Sequence, residues 1–563
     1  MSRRRRILIV GGYGTFGGRL ALLLADEPRL TLIIAGRSHD KAAIFCNALP
    51  PGAERIAASF DRDGDVDRQL RALAPDVLVD ATGPFQAYAG DPYRLVKACI
   101  AHGIDYLDLA DGSDFVMGIR QFDAAAQAAN IVVLSGVSSF PVLTAAVVRD
   151  LSRDLARLDA VTGGIAPSPY AGVGLNVIRA IASYAGKPVR LTRGARPAVG
   201  YALVETLRYT ISPPGRVPLR NIRFSLVDVP DLQALPQLWP DLRSVWMGAG
   251  PVPEILHRAL NGLAWLVRLR VLPSLSPFAA LFHAAINLLR WGEHRGGMFV
   301  AIEGVTRDGK SAARSWHLLA EGDDGPLIPS MAVAIIIRQS LDGTRRASGA
   351  RPAVRDIELA DYQAAFARRA IHTGRRDEPG GGDAPLYRTL LGAAWSQLPA
   401  PLRAMHDLQD TMVAAGIATI ERGRGWPSRL AAWIAGFPPA GADIPVRVSF
   451  TRQREREIWR RDFGGVAFSS TQEAGRGRDD RLLVERFGPF AFGLALVLDG
   501  DKLRLVTRGW SLFGLRLPAA WAPRGDAYES AQDGRFHFDV EIRHPLTGLI
   551  AAYRGWLVPQ PPV

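Results

Sequence analysis

Apolar residues fall first into short continuous runs along this chain and later into longer, alternating ones. Runs at 7–10, 30–35, 77–79, 106–109 and 131–134 are interleaved with helix-like stretches at 18–25, 93–102 and 121–129. Strands apolar on both faces with crossover helices between them predict a parallel, doubly wound sheet. From about residue 158 the rhythm shifts to longer strand-like pieces at 199–211, 219–229 and 298–305. The last of these turns at Asp308-Gly309 and returns through 312–320, a hairpin signature. Two helical stretches interrupt the strands. One covers 252–291 and is broken by Pro273 and Pro277; the other covers 328–341 and is closed by Asp342-Gly343.

Residues 373–385, with Gly380-Gly381-Gly382 and alternating charges, read as a linker. Beyond it, helices are expected near 390–415 and 427–435. Short strands follow at 446–450, 457–463, 465–470, 482–487, 492–498 and 536–542, punctuated by turn residues. The predicted organisation is α/β overall. An N-terminal Rossmann domain with a doubly wound parallel sheet covers 1–150. An α+β middle substrate domain with an open sheet covers 151–372, its last helices free to pack back on the first domain. A mostly antiparallel β domain covers 386–563. A chain of 563 residues exceeds what one core usually supports, which agrees with several domains.

Composition narrows the function classes. With 48% apolar and 22% charged residues the chain lies in the ordinary globular range, and no run of 20 apolar residues lacks a charge or a proline, so no transmembrane helix is expected. The basic Arg3-Arg4-Arg5-Arg6 leader precedes only four apolar residues before Gly11-Gly12, too few for a signal peptide. Cys46 and Cys99 are the only cysteines, which provides neither a disulfide framework nor a CxxC site and fits a cytoplasmic protein. The net charge of +13 comes from five lysines and 63 arginines dispersed through every segment, so nucleic acid is not an expected partner. An arginine-rich surface does attract anionic cofactors and lipid headgroups.

The strongest local signal is Gly12-Tyr13-Gly14-Thr15-Phe16-Gly17, which follows the first strand and opens a helix. Gly12 permits the tight turn, Gly14 lets backbone approach a pyrophosphate, and Gly17 allows close packing of helix on strand. Free amides at the helix start meet the phosphate charge. An NAD site usually carries an acid at the end of the second strand, whereas here the chain reads Ala35-Gly36-Arg37-Ser38. With no carboxylate to repel a 2′-phosphate, and with the planar fork of Arg37 and the hydroxyl of Ser38 on offer, NADP(H) is expected over NAD(H).

A longer pattern extends this fingerprint: Val79-Asp80-Ala81-Thr82-Gly83-Pro84-Phe85, Gly90-Asp91-Pro92, Ala98-Cys99 and Gly103-Ile104-Asp105-Tyr106-Leu107-Asp108-Leu109-Ala110-Asp111-Gly112. It resembles the saccharopine dehydrogenase-like oxidoreductases over residues 5–150. The resemblance implies that Thr82, Gly83, Pro84 and Phe85 lie beside the nicotinamide and that the Tyr-x-Asp segment faces the same cleft. Residues 272–298 and Ser315-Trp316-His317-Leu318 carry a weaker likeness, implying a substrate domain on an open sheet. The last 175 or so residues resemble a companion domain of unknown function. That likeness rests on Glu457-x-Trp459-x-Arg461-x-Phe463-Gly464-Gly465, Glu485-Arg486-x-Gly488-Pro489 and Tyr553-Arg554-Gly555-Trp556.

Candidate catalytic groups are Tyr106, Asp108 and Asp111, at the carboxyl end of a parallel strand, where open α/β sheets place their ligands. The competing reading makes the two aspartates helix caps or turn residues. His294 and His317 are better explained as structural residues and stand in reserve as proton donors, and Tyr93-Arg94-Leu95-Val96-Lys97 matches YxxxK too early in the chain to be a catalytic pair. No metal-ligand spacing and no GxSxG are present, so no metal is expected. In 252–291 leucines alternate with Arg258, Arg268, Arg270 and Arg290, a pattern shared by helices packed between domains and by helices lying on a lipid surface. The expected activity is hydride transfer to or from a C=N, C=O or enoyl C=C bond of a small-molecule or acyl substrate. The protein is expected in the cytoplasm, with peripheral membrane contact through 252–291 left open, as is a homodimer. The alternative is a non-catalytic NADP-binding scaffold whose C-terminal domain binds lipid or protein.

Overall fold

The computed structural model describes residues 3–88, 90–288, 290–377 and 384–561. They divide into two compact units: residues 1–208 with 223–372, and residues 209–222 with 373–563.

The first unit opens with strands β1 (Arg5–Val10), β2 (Leu30–Gly36), β3 (Glu54–Ser59), β4 (Val77–Asp80), β5 (Asp105–Asp108) and β6 (Val132–Ser135). They pair in the order 3-2-1-4-5-6, with a seventh strand, Gly349–Pro352, added parallel beside β6. This is the Rossmann arrangement that the alternating strands and helices predict. Alternate residues of β1 and β2 feed two cores: Ile7, Ile9, Leu32 and Ile34 on one face, Leu8, Val10, Ile33 and Ala35 on the other. Burial on both faces is why these strands read as continuous apolar runs. The strand order reverses between β1 and β4, and the register aligns Val10 with both Ala35 and Asp80, and Asp80 with Asp108. Four strands thus end at one level beside the switch point, where a doubly wound sheet opens a crevice.

A second, mixed sheet is centred on Leu155–Ala166. Ser244–Ala249 pairs parallel to it and Arg295–Thr306 antiparallel, and Ser311–Glu321 completes the hairpin predicted from Asp308-Gly309. Helices Leu175–Tyr184, Glu254–Arg268 and Ala279–Leu288 accompany it. Helix Ile328–Leu341, with the bounds the sequence predicts, lies on α1 (Thr15–Leu24), where Ser330 Oγ donates to the Phe16 carbonyl at 3.0 Å.

The expected linker needs correction. Ile371–Asp377 is a strand of the second sheet, and Gly380-Gly381-Gly382 lie outside the described residues.

Among the described residues of the second unit ten antiparallel strands close on themselves, since Phe490–Asp499 pairs with Lys502–Leu512 as well as with Leu483–Phe487. The expected helix at 390–415 is shorter than read. Leu386–Leu391 and Ala400–His406 are helical, but Thr411–Arg422 is the first barrel strand. Its alanines mimic helix composition, yet Ala414, Ala418 and Ile420 are buried between two neighbouring strands, and tertiary pairing overrides propensity.

Candidate functional site

β1 ends at Val10, and the chain turns through Gly11, whose φ of +79° is left-handed and whose Cβ would meet the Ala81 carbonyl at 2.9 Å. The turn glycine is therefore Gly11 rather than Gly12, a residue the fingerprint leaves out. Gly12 is instead required by close packing, since a Cβ there would meet the Ile9 carbonyl at 2.8 Å. A Cβ on Gly17 would lie 2.3 Å from the Gly11 carbonyl. Gly14 caps α1 from an extended conformation, and the amides of the first helical turn have no carbonyl partner within the helix. At Gly14 the nearest obstacle is the Gly11 carbonyl at 3.1 Å, so the space before the helix would be filled by a side chain.

The crevice continues into one cavity of about 1170 Å³ within the first unit. Tyr13, Gly14, Thr15, Phe16 and Arg37 line it, as do Thr82, Gly83, Pro84 and Phe85. Arg37 is exposed and has no ionic or hydrogen-bond partner among the described residues. Ser38 is differently employed: its Oγ accepts from the Lys41 amide at 3.3 Å as the cap of α2 (His39–Ala48), and its own amide donates to the Tyr13 hydroxyl at 3.1 Å. The glycine cradle, the helix amides and an unpaired guanidinium fit a dinucleotide carrying a 2′-phosphate.

Beyond β4, Asp80 is buried and its carboxylate accepts from the Thr82 amide at 3.0 Å and the Thr82 hydroxyl at 2.6 Å. That hydroxyl also lies 2.6 Å from the Tyr88 hydroxyl, and Arg62 covers the Tyr88 ring at 3.3 Å. Burial raises the Asp80 carboxyl above its usual range, partly offset by Arg62 and these hydrogen bonds. Phe85, Tyr88 and Phe115 pack with ring centroids 5.0–6.1 Å apart and hold the loop in shape.

The three proposed catalytic residues are not brought together. Tyr106 is buried in the core on the far face of β5 and does not line the cavity. Asp108 is also fully buried and outside the cavity lining. Its Oδ1 accepts from the Ala110 amide at 3.0 Å and the Gly136 amide at 2.7 Å, fastening β5 to the chain after β6. Burial pushes its carboxyl up to about 7, opposed in part by these amides and by the Ser135 hydroxyl beside it. Asp111 does line the cavity, where Gln86 Nε2 donates to its Oδ1 at 2.9 Å and burial raises its carboxyl above the normal range. No side chain caps the helix that follows; its cap is Gly112.

Residues from the second sheet's layer complete the wall. Tyr184 and Asp228 line the same cavity close enough to Asp111 to feel its charge, and Ser113 Oγ donates to Asp228 at 2.6 Å. His257 lines it too, with Nε2 2.7 Å from Ser225 Oγ and burial lowering its pKa to about 4. None of the three carried a sequence signal, because each lies in an ordinary strand end or helix and only the fold brings it to Asp111. His294 and His317 sit elsewhere, the first against the Tyr170 ring at 4.7 Å and the second buried 2.9 Å from Ser315 Oγ. Much of the remaining wall is apolar: Ile181, Leu256, Leu260, Leu263, Phe282 and Ile286. Among the described residues no cluster of histidine, cysteine and carboxylate side chains could hold a metal ion, and no helix is long and apolar enough to cross a membrane.

Residues 7–134 match the family model of the saccharopine dehydrogenase NADP binding domain, and residues 398–557 match that of a domain of unknown function, DUF4166. No curated protein matches the chain in sequence. Solved structures with a similar course include saccharopine dehydrogenase (L-Glu forming) from Saccharomyces cerevisiae, 15% identical, covering 66% of this chain and 99% of that one with a TM-score of 0.47. A meso-dapdh mutant with DAP from Clostridium tetani is 14% identical over 65% of this chain and 99% of that one, TM-score 0.31. The WlbA dehydrogenase from Thermus thermophilus, in complex with NAD and alpha-ketoglutarate, is 12% identical over 65% and 93%, TM-score 0.28.

Proposed function

We propose that this oxidoreductase, whose residues 7–134 form a saccharopine dehydrogenase NADP-binding domain, transfers a hydride between NADP(H) and a C=N, C=O or enoyl C=C bond of an acyl-bearing or otherwise apolar substrate. The observation that carries the reading is the continuity of one cavity, from the glycine turn past Asp111 to the apolar helices 254–268 and 279–288. Gly12, Tyr13, Gly14, Thr15, Phe16 and Gly17 would hold the pyrophosphate, Arg37 the 2′-phosphate, and Thr82, Gly83, Pro84 and Phe85 the nicotinamide side. Ser38 would contribute by setting the start of α2 beside Arg37. Bound NADPH supplies the hydride.

The chain's own residues then have to manage the proton. Asp111, raised by burial and supported by Gln86, is the group we assign to give or take a proton at the substrate atom where charge develops. Asp228 and Tyr184 beside it favour its protonated form, the first by like charge and both by excluding water. Tyr106 and Asp108 act at one remove, by fixing the strand and the turn that carry Asp111.

The outer surface of 252–291 favours a lipid-facing role. Ile255, Trp265, Leu269, Val271, Leu281 and Leu288 are exposed there, interspersed with Arg258, Arg268, Arg270 and Arg290. Apolar side chains with a cationic fringe suit the surface of an anionic bilayer, and the same helices wall the cavity. An acyl substrate would reach the cavity from that surface.

The deciding experiment incubates NADPH carrying deuterium at one face of C4 with the protein and a lipid extract. Stereospecific loss of label that requires the protein supports turnover. Retention of label on both faces, with NADPH bound, would leave a binding protein without chemistry.

A further inference from the structure

The second unit holds a cavity of its own. We infer that its closed barrel is a binding site for a small amphipathic molecule, whose polar end sits among Arg461, Gln472 and Glu485 and whose apolar body lies toward the end of the barrel that carries the 512–527 and 544–548 turns. The inference is independent of the oxidoreductase site and rests on three observations.

The first is the interior. Residues spaced by two along a barrel strand share one face, and Glu457, Trp459, Arg461 and Phe463 are so spaced on Arg456–Phe463. This is one of the segments on which the sequence likeness of the domain rests, and Trp459, Arg461 and Phe463 line a cavity of about 170 Å³. Phe487, Phe492, Phe538, Val540 and Tyr553 line it as well. A cavity of about 150 Å³ takes one benzene ring, so this one has room for a molecule of about one ring or a short chain.

The second is a polar row at mid-depth. Arg461 donates to Ser470 Oγ at 2.7 Å and to Glu485 Oε1 at 3.1 Å, and Gln472 Nε2 donates to the same carboxylate oxygen at 3.0 Å. The Tyr387 hydroxyl closes the row on Gln472 Oε1 at 3.1 Å, and the Tyr387 ring stacks on His406 at 3.8 Å. These groups satisfy one another, and a guanidinium with five N–H donors beside a carboxylate with two oxygens keeps capacity to donate to and accept from a neutral head group as well.

The third is direction. Helices Leu386–Leu391 and Ala400–His406 lead into the barrel, and Tyr387 and Met405 pack into its core from that end. In an up-and-down barrel the turns at 463–466, 487–490, 512–527 and 544–548 lie at the opposite end, together with helix Trp426–Ile434. There Trp426, Leu430, Trp433, Phe513, Leu515 and Leu546 are exposed, and Pro523, Arg524 and Gly525 of the 512–527 loop line the cavity, so this end carries an apolar rim past which an apolar molecule can partition.

The test uses the full chain and 4-ethylphenol, a one-ring molecule with a neutral polar end, titrated by calorimetry. Saturable heat is expected, and Val540→Trp and Thr507→Trp, which fill the barrel interior from two different strands, should each weaken binding about tenfold while NADPH binding is unchanged. Leu260→Trp, which narrows the cavity of the first unit, should leave the barrel signal in place. The polar end is checked with ethylbenzene, expected to bind about tenfold more weakly. Absence of saturable heat, insensitivity to both barrel variants, or loss with Leu260→Trp alone would overturn the site. Equal binding of 4-ethylphenol and ethylbenzene would overturn its amphipathic character.

Discussion

The side-chain amide of Asn176 donates to the carbonyls of both Thr82 and Gly83, at 3.2 and 3.1 Å, tying helix Leu175–Tyr184 to the loop after β4. One residue of the second sheet's layer thereby sets the loop proposed to face the nicotinamide. Replacing Asn176 with leucine keeps much of the volume and removes both donors. A hydrogen bond is worth about 1 kcal/mol net, so amide exchange in residues 82–88 should quicken several-fold and NADPH affinity fall by a similar factor. Exchange mass spectrometry checks the first and calorimetry the second; unchanged exchange would show that the loop is held by its aromatic packing alone.

Among the described residues Arg37 lines the cavity without an ionic or hydrogen-bond partner, which leaves its charge to a ligand. Arg37→Glu exchanges a fork that grips phosphate for a carboxylate that repels it and accepts from a ribose hydroxyl. Charge-assisted hydrogen bonds contribute about 1.5–3 kcal/mol, so the ratio of NADPH to NADH affinity should fall tenfold or more. An unchanged ratio would place the 2′-phosphate elsewhere.

How much of this could be read from the chain depended on whether the signal was local. The glycine turn, β1, β2 and α1 were legible because apolar runs and small residues follow directly from burial on both faces and from close backbone approach. β3 was missed: its residues Glu54-Arg55-Ile56-Ala57-Ala58-Ser59 are half polar, since it lies at the sheet's edge. Asp111 was legible by its place after a parallel strand, but its difference from Asp108, three residues away, was not. Which carboxylate faces the crevice and which is sealed beneath it is decided by the turn at Leu109-Ala110, not by residue type. Asp228, Tyr184 and His257 were invisible because their meeting depends on a second sheet whose packing no short pattern encodes.

That difference makes a sharp comparison. Asp108 uses only Oδ1 for its two amide bonds, so Asp108→Asn can keep both on its amide oxygen with an NH2 group in place of Oδ2, for which the neighbouring Ser135 hydroxyl can turn to accept. Asp111→Asn removes the proton-carrying group from the cavity. A positioned acid or base contributes roughly 10²–10⁴-fold, so single-turnover NADPH oxidation should drop by about that factor in Asp111→Asn and by far less in Asp108→Asn, with NADPH binding retained in both. The reverse order would move the chemistry to Asp108.

The exposed face of 252–291 predicts behaviour in flotation. The chain should rise with vesicles containing phosphatidylglycerol, less so with pure phosphatidylcholine, and salt should weaken the association because the cationic fringe is screened. Trp265→Ser with Leu269→Ser removes two large apolar contacts, each worth about 1.5–3 kcal/mol when buried, and should return most of the protein to the soluble fraction. Flotation that survives this double change would point to another surface.

Asp231 predicts a slope of stability with pH. It lies at the start of helix Asp231–Leu238, fully buried, and neither carboxylate oxygen has a hydrogen-bond partner by geometry among the described residues. Burial pushes its carboxyl up to about 7, only partly opposed by the Thr144 hydroxyl. The folded chain therefore holds a proton that the unfolded chain releases near pH 4, and raising the pH from 4 to 7 favours unfolding by up to about 1.4 kcal/mol per pH unit for each such group. Asp108 adds to this in the same direction, whereas Glu27, lowered to about 2 by Arg29, matters only below its ordinary range. Between pH 5 and 8 the thermal midpoint should fall, and Asp231→Asn, which has nothing to titrate, should fall less and be the more stable protein at pH 8. Parallel slopes for the two proteins would mean that water reaches Asp231 and that its carboxyl ionises as it does in the open chain.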